Sequence, residues 1–252
     1  MPEWFDGFFC GLYTRVLANQ FDDAQSLNEA RMVKRLLKLR KGASVLDIPC
    51  GLGRLTIPLA RVGLTMTGVD LIEPYIRRAR RRARAEGLDV TFLQGDMREI
   101  DFCGSFDAVF NWFSSFGYFS DIENLNVGRR LYQALKPGGR LLIDGMNRSW
   151  LLSHIVPRRE RTIGGVQVET RNRYCERTHR LHSTWTLRRG STCECRRLSV
   201  RVYNGAEIRD LLRNAGFREI ELFGNPPIGR FTRHSPRFLA VAKRPSHEFG
   251  GT

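Results

Sequence analysis

The sequence predicts an α/β protein built on a doubly wound, seven-stranded sheet, parallel up to a C-terminal antiparallel hairpin, with helices on both faces. Three observations carry this. Short apolar strands alternate with amphipathic helices between residues 44 and 143. Glycines and carboxylates fall just after those strands, where open α/β sheets bind ligands. After about Arg161 the pattern changes to three strands rich in Thr, Val, Tyr and Trp185, which reads as an antiparallel β insert.

The bulk numbers fit such a protein. A chain of 252 residues with 42% hydrophobic and 27% charged residues can bury one large core and still carry an insert. No apolar run approaches the roughly 20 residues that span a bilayer. The start, Met1-Pro2-Glu3-Trp4-Phe5-Asp6, is aromatic and acidic, unlike a signal peptide. A cytoplasmic protein without a membrane partner is expected.

The formal net charge of +15 raises nucleic acid as a partner. The lysines, however, are only Lys34, Lys38, Lys41, Lys136 and Lys243, so arginine carries nearly all the charge. A GC-rich coding sequence produces that skew without selection for a basic surface. The densest run, Arg77 to Arg84, sits in a predicted helix and reads as a solvated face. Six cysteines are present, with Cys193 and Cys195 the one close pair. A zinc site needs about four ligands, and no second paired cluster occurs. No metal is expected.

The elements follow in order. Residues 1–22 form an N-terminal segment. Residues 23–40 read as a helix, with Ser26 and Glu29 at capping-box spacing and Leu27, Ala30, Val33, Leu36 and Leu37 on one stripe. Strand 44–48 ends in a glycine loop, and 55–61 is helical. Strand 65–69 precedes a helix over 73–86 closed by Gly87. Strands 90–93 and 106–110 follow, then a helix over 122–135. Lys136-Pro137-Gly138-Gly139 is a turn before strand 140–143. The core thus spans 23–150 and the insert 151–203, with strands expected at 166–174, 180–188 and 194–202. Asn204 caps a helix over 206–215, and strands 218–223 and 238–242 complete the core over 204–243. Residues 244–252 are a tail.

Four strand ends carry candidate chemistry. The loop Asp47-Ile48-Pro49-Cys50-Gly51-Leu52-Gly53 lets backbone approach a ligand closely, and Asp47 suits an ammonium group. A dinucleotide loop would place a third glycine where Thr56 stands. By itself the glycine pair also fits a plain tight turn. Asp70, followed by Leu71, can accept both hydroxyls of a ribose, or stand as a solvated strand-end acid. Asp96 could take an adenine amino group, with Met97 on the ring. The run Asn111-Trp112-Phe113-Ser114-Ser115-Phe116-Gly117-Tyr118-Phe119 is too aromatic for an exposed loop. It suits a dry pocket that favours a cation, although Phe116 and Phe119 could equally cover the sheet end.

With these motifs at successive strand ends, the chain resembles class I S-adenosylmethionine-dependent methyltransferases over residues 26–143, and more loosely beyond. The resemblance implies a Rossmann-like sheet closed by an antiparallel hairpin. It assigns S-adenosylmethionine to Asp47, Cys50, Gly51, Gly53, Asp70, Leu71, Asp96, Met97 and Asn111. The segment from Phe113 to Tyr118, with the insert, is similar to a small-molecule branch that includes sugar-amine N-methyltransferases and, more distantly, glycine N-methyltransferase. In that branch the insert roofs the acceptor. Asn225-Pro226-Pro227-Ile228 resembles the N-P-P-aromatic motif of other methyltransferases, but lacks the aromatic and follows the wrong strand; it reads as a loop near the pocket mouth.

The expected activity is methyl transfer to a small molecule, at N or O in preference to C. Trp112, Phe113, Asn147 and Arg148 are candidates for the acceptor pocket, with Arg148 either meeting an acidic acceptor or fixing a loop. Tyr118 and Tyr13 are candidate catalytic groups, Tyr13 lying in a segment that could close as a lid. His154 and His182 are weaker candidate bases. The alternative is an RNA or protein methyltransferase using the arginine-rich surface; the insert argues against it, since a polymer needs an open groove. A nicotinamide dehydrogenase is a third reading. Either a monomer or a homodimer is compatible with the sequence.

Overall fold

The computed structural model describes residues 3–224 and 229–246. The Asn225-Pro226-Pro227-Ile228 segment and the end of the tail lie outside the described residues. Helices α1 (Trp4–Phe8), α2 (Leu12–Asn19) and α3 (Asp23–Leu36) come first. They lead into β1 (Ser44–Asp47), α4 (Thr56–Arg61), β2 (Thr65–Asp70), α5 (Glu73–Ala85), β3 (Val90–Gln94) and β4 (Phe106–Asn111). Next come α6 (Asp121–Ala134), β5 (Leu135–Met146) and α7 (Arg148–His154). The insert contributes β6 (Arg158–Ile163), β7 (Val166–Cys175), β8 (Arg180–Arg189) and β9 (Thr192–Arg201). Finally α8 (Gly205–Asn214), β10 (Arg218–Phe223) and β11 (Arg237–Lys243) return to the core.

The main sheet has seven strands in the order β10-β11-β5-β4-β1-β2-β3. Strands β1 to β5 are parallel, while β11 runs antiparallel to both β5 and β10. The chain reverses its direction of winding between β1 and β4. The loops after those two strands therefore diverge and leave a crevice, the standard ligand position in such sheets.

Alternation along the strands sorts the core. Leu46, Val109, Leu141 and Ile143 face Val127, Leu131, Ile208 and Leu212 of α6 and α8. Val45, Phe110 and Leu142 face Val33, Leu36 and Leu59 of α3 and α4. Each of these large side chains is under 10% exposed and contributes roughly 1.5–3 kcal/mol by leaving water. The whole sheet is thus clamped from both sides, and its strand ends form a rigid platform.

Three local expectations are corrected. The insert sheet has four strands, not three, in the order β6-β7-β8-β9. The extra edge strand β6 reads Arg-Arg-Glu-Arg-Thr-Ile, and its charges hide the apolar alternation by which strands are recognised. The first-turn cap of α3 is Asp22, whose side chain accepts from Gln25 N at 2.6 Å. Ser26 lies inside the helix, its hydroxyl donating to Asp22 O at 2.9 Å. Either residue type can cap, and Asp22 starts the helix a turn earlier, which releases Glu29. Lys136 to Gly139 is an excursion within β5. The register against β4 jumps from Phe106↔Leu135 to Ala108↔Arg140, with Gly138 at φ 80°.

The insert is bound on two sides. Phe8, Tyr13 and Val16 of the N-terminal helices pack against Val166, Val168 and Leu187. Arg180 of β8 donates to the carbonyls of Tyr118 (2.9 Å) and Phe119 (2.8 Å), and Arg201 N donates to Gly117 O at 2.8 Å. Both the N-terminal helices and the insert are therefore locked to the loop that follows β4.

Candidate active site

At the end of β1, Asp47 is 2% exposed and accepts the Thr56 hydroxyl at 2.6 Å. Burial raises its pKa to about 8, against the opposing pull of Thr56 and of Arg54. Gly51 sits at φ 56°, and its N–H donates to Asp70 Oδ2 at 2.7 Å. Asp70 Oδ1 accepts from Ile72 N at 2.9 Å. Burial raises the Asp70 pKa to about 6, although both N–H bonds favour its ionised form. Asp70 thus fastens the glycine loop to the end of β2.

The two loop glycines do different things. A Cβ on Gly51 would meet no protein atom within 4 Å, so the space above it is free for a ligand. A Cβ on Gly53 would come within 3.2 Å of Phe92 and 3.3 Å of Ala79 and Ile57, so this glycine serves helix–sheet packing. Cys50 is buried, and its thiol is pushed well above the usual range by that burial and by Asp70 and Asp47. It is a wall atom and no nucleophile.

After β3, Asp96 is gripped by Arg98. Its Oδ1 accepts from Arg98 N (2.8 Å) and its Oδ2 from the guanidinium (2.7 and 3.0 Å). Met97 is buried, with its sulfur 4.0 Å from Asn111 Nδ2. Asn111 is fully buried and donates to Ile48 O at 2.8 Å. It braces the loop after β1 from below and is not one of the cavity-wall residues.

The segment after β4 is held in an uncommon conformation. Phe113 and Ser114 both lie in the left-handed region, at φ 63° and 58°, which costs non-glycine residues of order 1–3 kcal/mol each. Asp144, 2% exposed at the end of β5, accepts from Phe113 N at 2.8 Å, and its carbonyl accepts from Ser114 N at 3.1 Å. Arg237 of β11 pairs with both Asp144 oxygens and donates to Ser114 Oγ at 2.9 Å. Trp112 Nε1 donates to Glu29 Oε2 at 2.7 Å, and the same oxygen receives Arg54 at 2.6 Å. Glu29 was expected only as a capping residue, and Asp144 and Arg237 escaped the sequence reading. Only Asp144, a carboxylate at a strand end, carried a signal that could have found it.

One cavity of about 770 Å³ joins these groups. Asp47, Cys50, Gly51, Asp70, Leu71, Asp96 and Met97 line one side. Trp112, Phe113, Ser115 and Tyr118 line the middle; Phe5, Phe8, Phe9 and Tyr13 of the N-terminal helices and the inner face of the insert close it. Phe119 lines it too, whereas Phe116 belongs to the core beneath.

Tyr13 is buried, Tyr118 is half-buried, and both are neutral. Burial raises the Tyr118 pKa to about 12 and holds Tyr13 above the usual phenol range. Neither is a phenolate general base near neutral pH, so each can donate or accept a hydrogen bond or pack. The structure gives Asn147 and Arg148 structural partners instead of cavity positions. Asn147 Nδ2 donates to the carbonyls of Arg233 and Ser235 (3.2 and 2.8 Å), and Arg148 pairs with Glu207 at 2.7 Å. His154 stacks on Trp150, and neither it nor His182 is a wall residue.

Residues 45–139 match the family described as methyltransferase domain. Demethylmenaquinone methyltransferase of Thermus thermophilus is 40% identical over 102 residues, 39% of this chain and 45% of that enzyme. The chain spans about half the length of the curated relatives it matches. An S-adenosylmethionine-dependent methyltransferase structure from Clostridium acetobutylicum covers 93% of this chain and 96% of its own, with a TM-score of 0.78 and 17% identity. The sugar N-methyltransferase KedS8 from Streptoalloteichus covers 97% and 94%, with a TM-score of 0.68 and 21% identity. Likeness at this level is likeness of fold, and it extends through the insert.

Proposed function

We propose, from the premise that residues 45–139 are a class I S-adenosylmethionine-dependent methyltransferase domain, that this chain methylates a nitrogen or oxygen of a small-molecule acceptor. The observation that carries the reading is the single cavity running from the carboxylates after β1 and β2 to the inner face of the insert. Its lining by the insert and the N-terminal helices suits a small acceptor, and the name of the sugar N-methyltransferase with the same fold points the same way.

The free space over Gly51, between Asp47 and Asp70, fits the methyl donor. Asp47 would hold its ammonium group, Asp70 its ribose hydroxyls, and Asp96 with Met97 its adenine. When bound, S-adenosylmethionine supplies an electrophilic methyl carbon on a sulfonium centre. The chain's own contribution is alignment and exclusion of water, which can lower a barrier by several kcal/mol. Phe5, Phe8, Phe9 and Tyr118 form a dry wall whose ring faces favour positive charge. Among the described residues the wall offers no histidine, its two phenols are neutral, and its carboxylates are those given to the methyl donor together with exposed Asp23, so the acceptor atom would arrive with its lone pair free.

The arginine-rich helix does not favour a polymer. On α5, Arg77 pairs with Glu73, Arg80 donates to Phe92 O, and Arg82 donates to Leu52 O. These charges are partly spent inside the fold. Incubating the chain with methyl-tritiated S-adenosylmethionine and separate low-mass, RNA and protein fractions of a cell extract tests the proposal. Label should appear in the low-mass fraction; label confined to RNA or protein would refute it.

A further inference from the structure

The insert sheet sorts its charges by face. Residues alternate along a strand, and the register aligns Arg158 with Arg171 and Glu160 with Glu169 on the outer face. There the charges neutralise one another: Arg158 bonds Glu160 (2.5 Å) and Glu169 (3.0 Å), and Arg171 bonds Glu169 (2.6 Å). The inner face carries Arg159 and Arg161, level with Thr170 and Val168; Thr170 is in turn level with Trp185. Arg159, Arg161, Thr170 and Trp185 all line the cavity.

On this face the arginines have no acid. Among the described residues, neither Arg159 nor Arg161 makes an ion pair. Arg161 Nε is buried without a hydrogen-bond partner, and so is Trp185 Nε1. The Arg161 guanidinium lies 5.4 Å from the Trp185 ring centre, which orients it without satisfying it. Burial, and then the like charge of Arg159, pull the Arg161 pKa below its usual range. Glu194, the acid that the register puts on the inner face, is occupied by Leu12 N (3.0 Å) and Arg196 (2.9 Å). The acids that line the cavity are Asp23, Asp47, Asp70 and Asp96, all contributed by the core. The insert wall therefore offers two buried N–H donors with nothing to receive them, Arg161 Nε and Trp185 Nε1, beside the exposed positive charge of Arg159.

We propose that the acceptor carries an anionic oxygen group, a carboxylate or a phosphate, held by Arg161 with Arg159 and the Trp185 indole N–H. The proposal rests on reading the cavity as a methyl-transfer site. A guanidinium fork matches either oxyanion through paired N–H···O bonds. Binding the anion at the roof orients the acceptor so that its opposite end faces Tyr118 and the methyl donor.

The test titrates benzoate and phenyl phosphate, with benzyl alcohol as the neutral control, into the full chain with and without S-adenosylhomocysteine. At least one anion should bind about tenfold or more tightly than the alcohol, and the stronger arm distinguishes carboxylate from phosphate. Arg161→Gln should weaken that anion about tenfold or more, the value of a charge-assisted bond. Arg161→Lys should be intermediate, and Trp185→Phe, which keeps the ring, should lose about threefold. S-adenosylhomocysteine affinity should be unchanged in all three variants, which also reports that they fold. Equal binding of anion and alcohol to the wild type, or equal anion binding to Arg161→Gln, would overturn the proposal. Failure of S-adenosylhomocysteine to bind the wild type would instead overturn the methyl-donor reading, a separate readout.

Discussion

Asp70→Asn is expected to weaken S-adenosylhomocysteine binding by about 10- to 100-fold, the value of one or two hydrogen bonds to a charged acceptor. The carboxylate would serve two ribose hydroxyls while it already receives Gly51 N and Ile72 N. An amide cannot keep all of these, because one of its ends donates. The loop carrying Gly51 should loosen with it, lowering stability by roughly 1–3 kcal/mol. The pH dependence gives an independent signature. Burial raises the Asp70 pKa from 3.8 to about 6. Between those values the folded chain holds more protons than the unfolded one, so stability of the free protein falls as pH rises. A ligand that donates hydrogen bonds to the carboxylate prefers its ionised form, so affinity should rise through pH 6. A second rise should follow as Asp47 ionises near pH 8, the two steps belonging to the coupled pair. In Asp70→Asn the lower step should vanish. Calorimetry from pH 5 to 9 measures both effects; unchanged affinity and an unchanged profile would remove Asp70 from the site.

Arg237→Met is expected to have the largest effect on stability. It strands Asp144, 2% exposed, as a buried and unpaired carboxylate. Breaking a buried pair from one side costs about 3–5 kcal/mol. The double variant Arg237→Met with Asp144→Leu removes both charges and should recover most of that loss. Recovery of the fold should not restore methyl transfer. Without the Asp144 carboxylate, Phe113 N has lost its acceptor, and only the backbone bond from Ser114 N to the carbonyl of position 144 still holds the left-handed pair in the cavity wall. Urea unfolding of the two single variants and the double variant forms the cycle that measures this. A loss below about 1 kcal/mol for Arg237→Met would show a pair of ordinary surface strength.

The main sheet was legible because its strands are short, apolar and punctuated by glycine and acidic residues. Those signals are local, and the order of the loops around the switch point follows from them. Asp47, Gly51, Asp70, Asp96 and Met97 could be placed on one cavity for the same reason. What escaped depends on distance along the chain. The Asp144–Arg237 pair joins residues 93 positions apart, and Glu29 reaches Trp112 across 83. No periodicity announces such partners. Strand β6 escaped because both of its faces carry charge, ion pairs outside and Arg159 with Arg161 inside, which leaves no apolar alternation to read. Asn147 and Arg148 follow a strand end as ligand-binding residues do. They turn away from the cavity because the 232–235 loop and α8 supply them with partners.

The central claim is that the crevice after β1 and β2 holds S-adenosylmethionine. The most direct test is a calorimetric titration of the wild-type chain with S-adenosylhomocysteine and, separately, with NAD, since a two-glycine loop and a strand-end acid are shared with dinucleotide folds. Saturable binding of S-adenosylhomocysteine at one site per chain, with none of NAD, is the predicted result. Binding of NAD without binding of S-adenosylhomocysteine would contradict it.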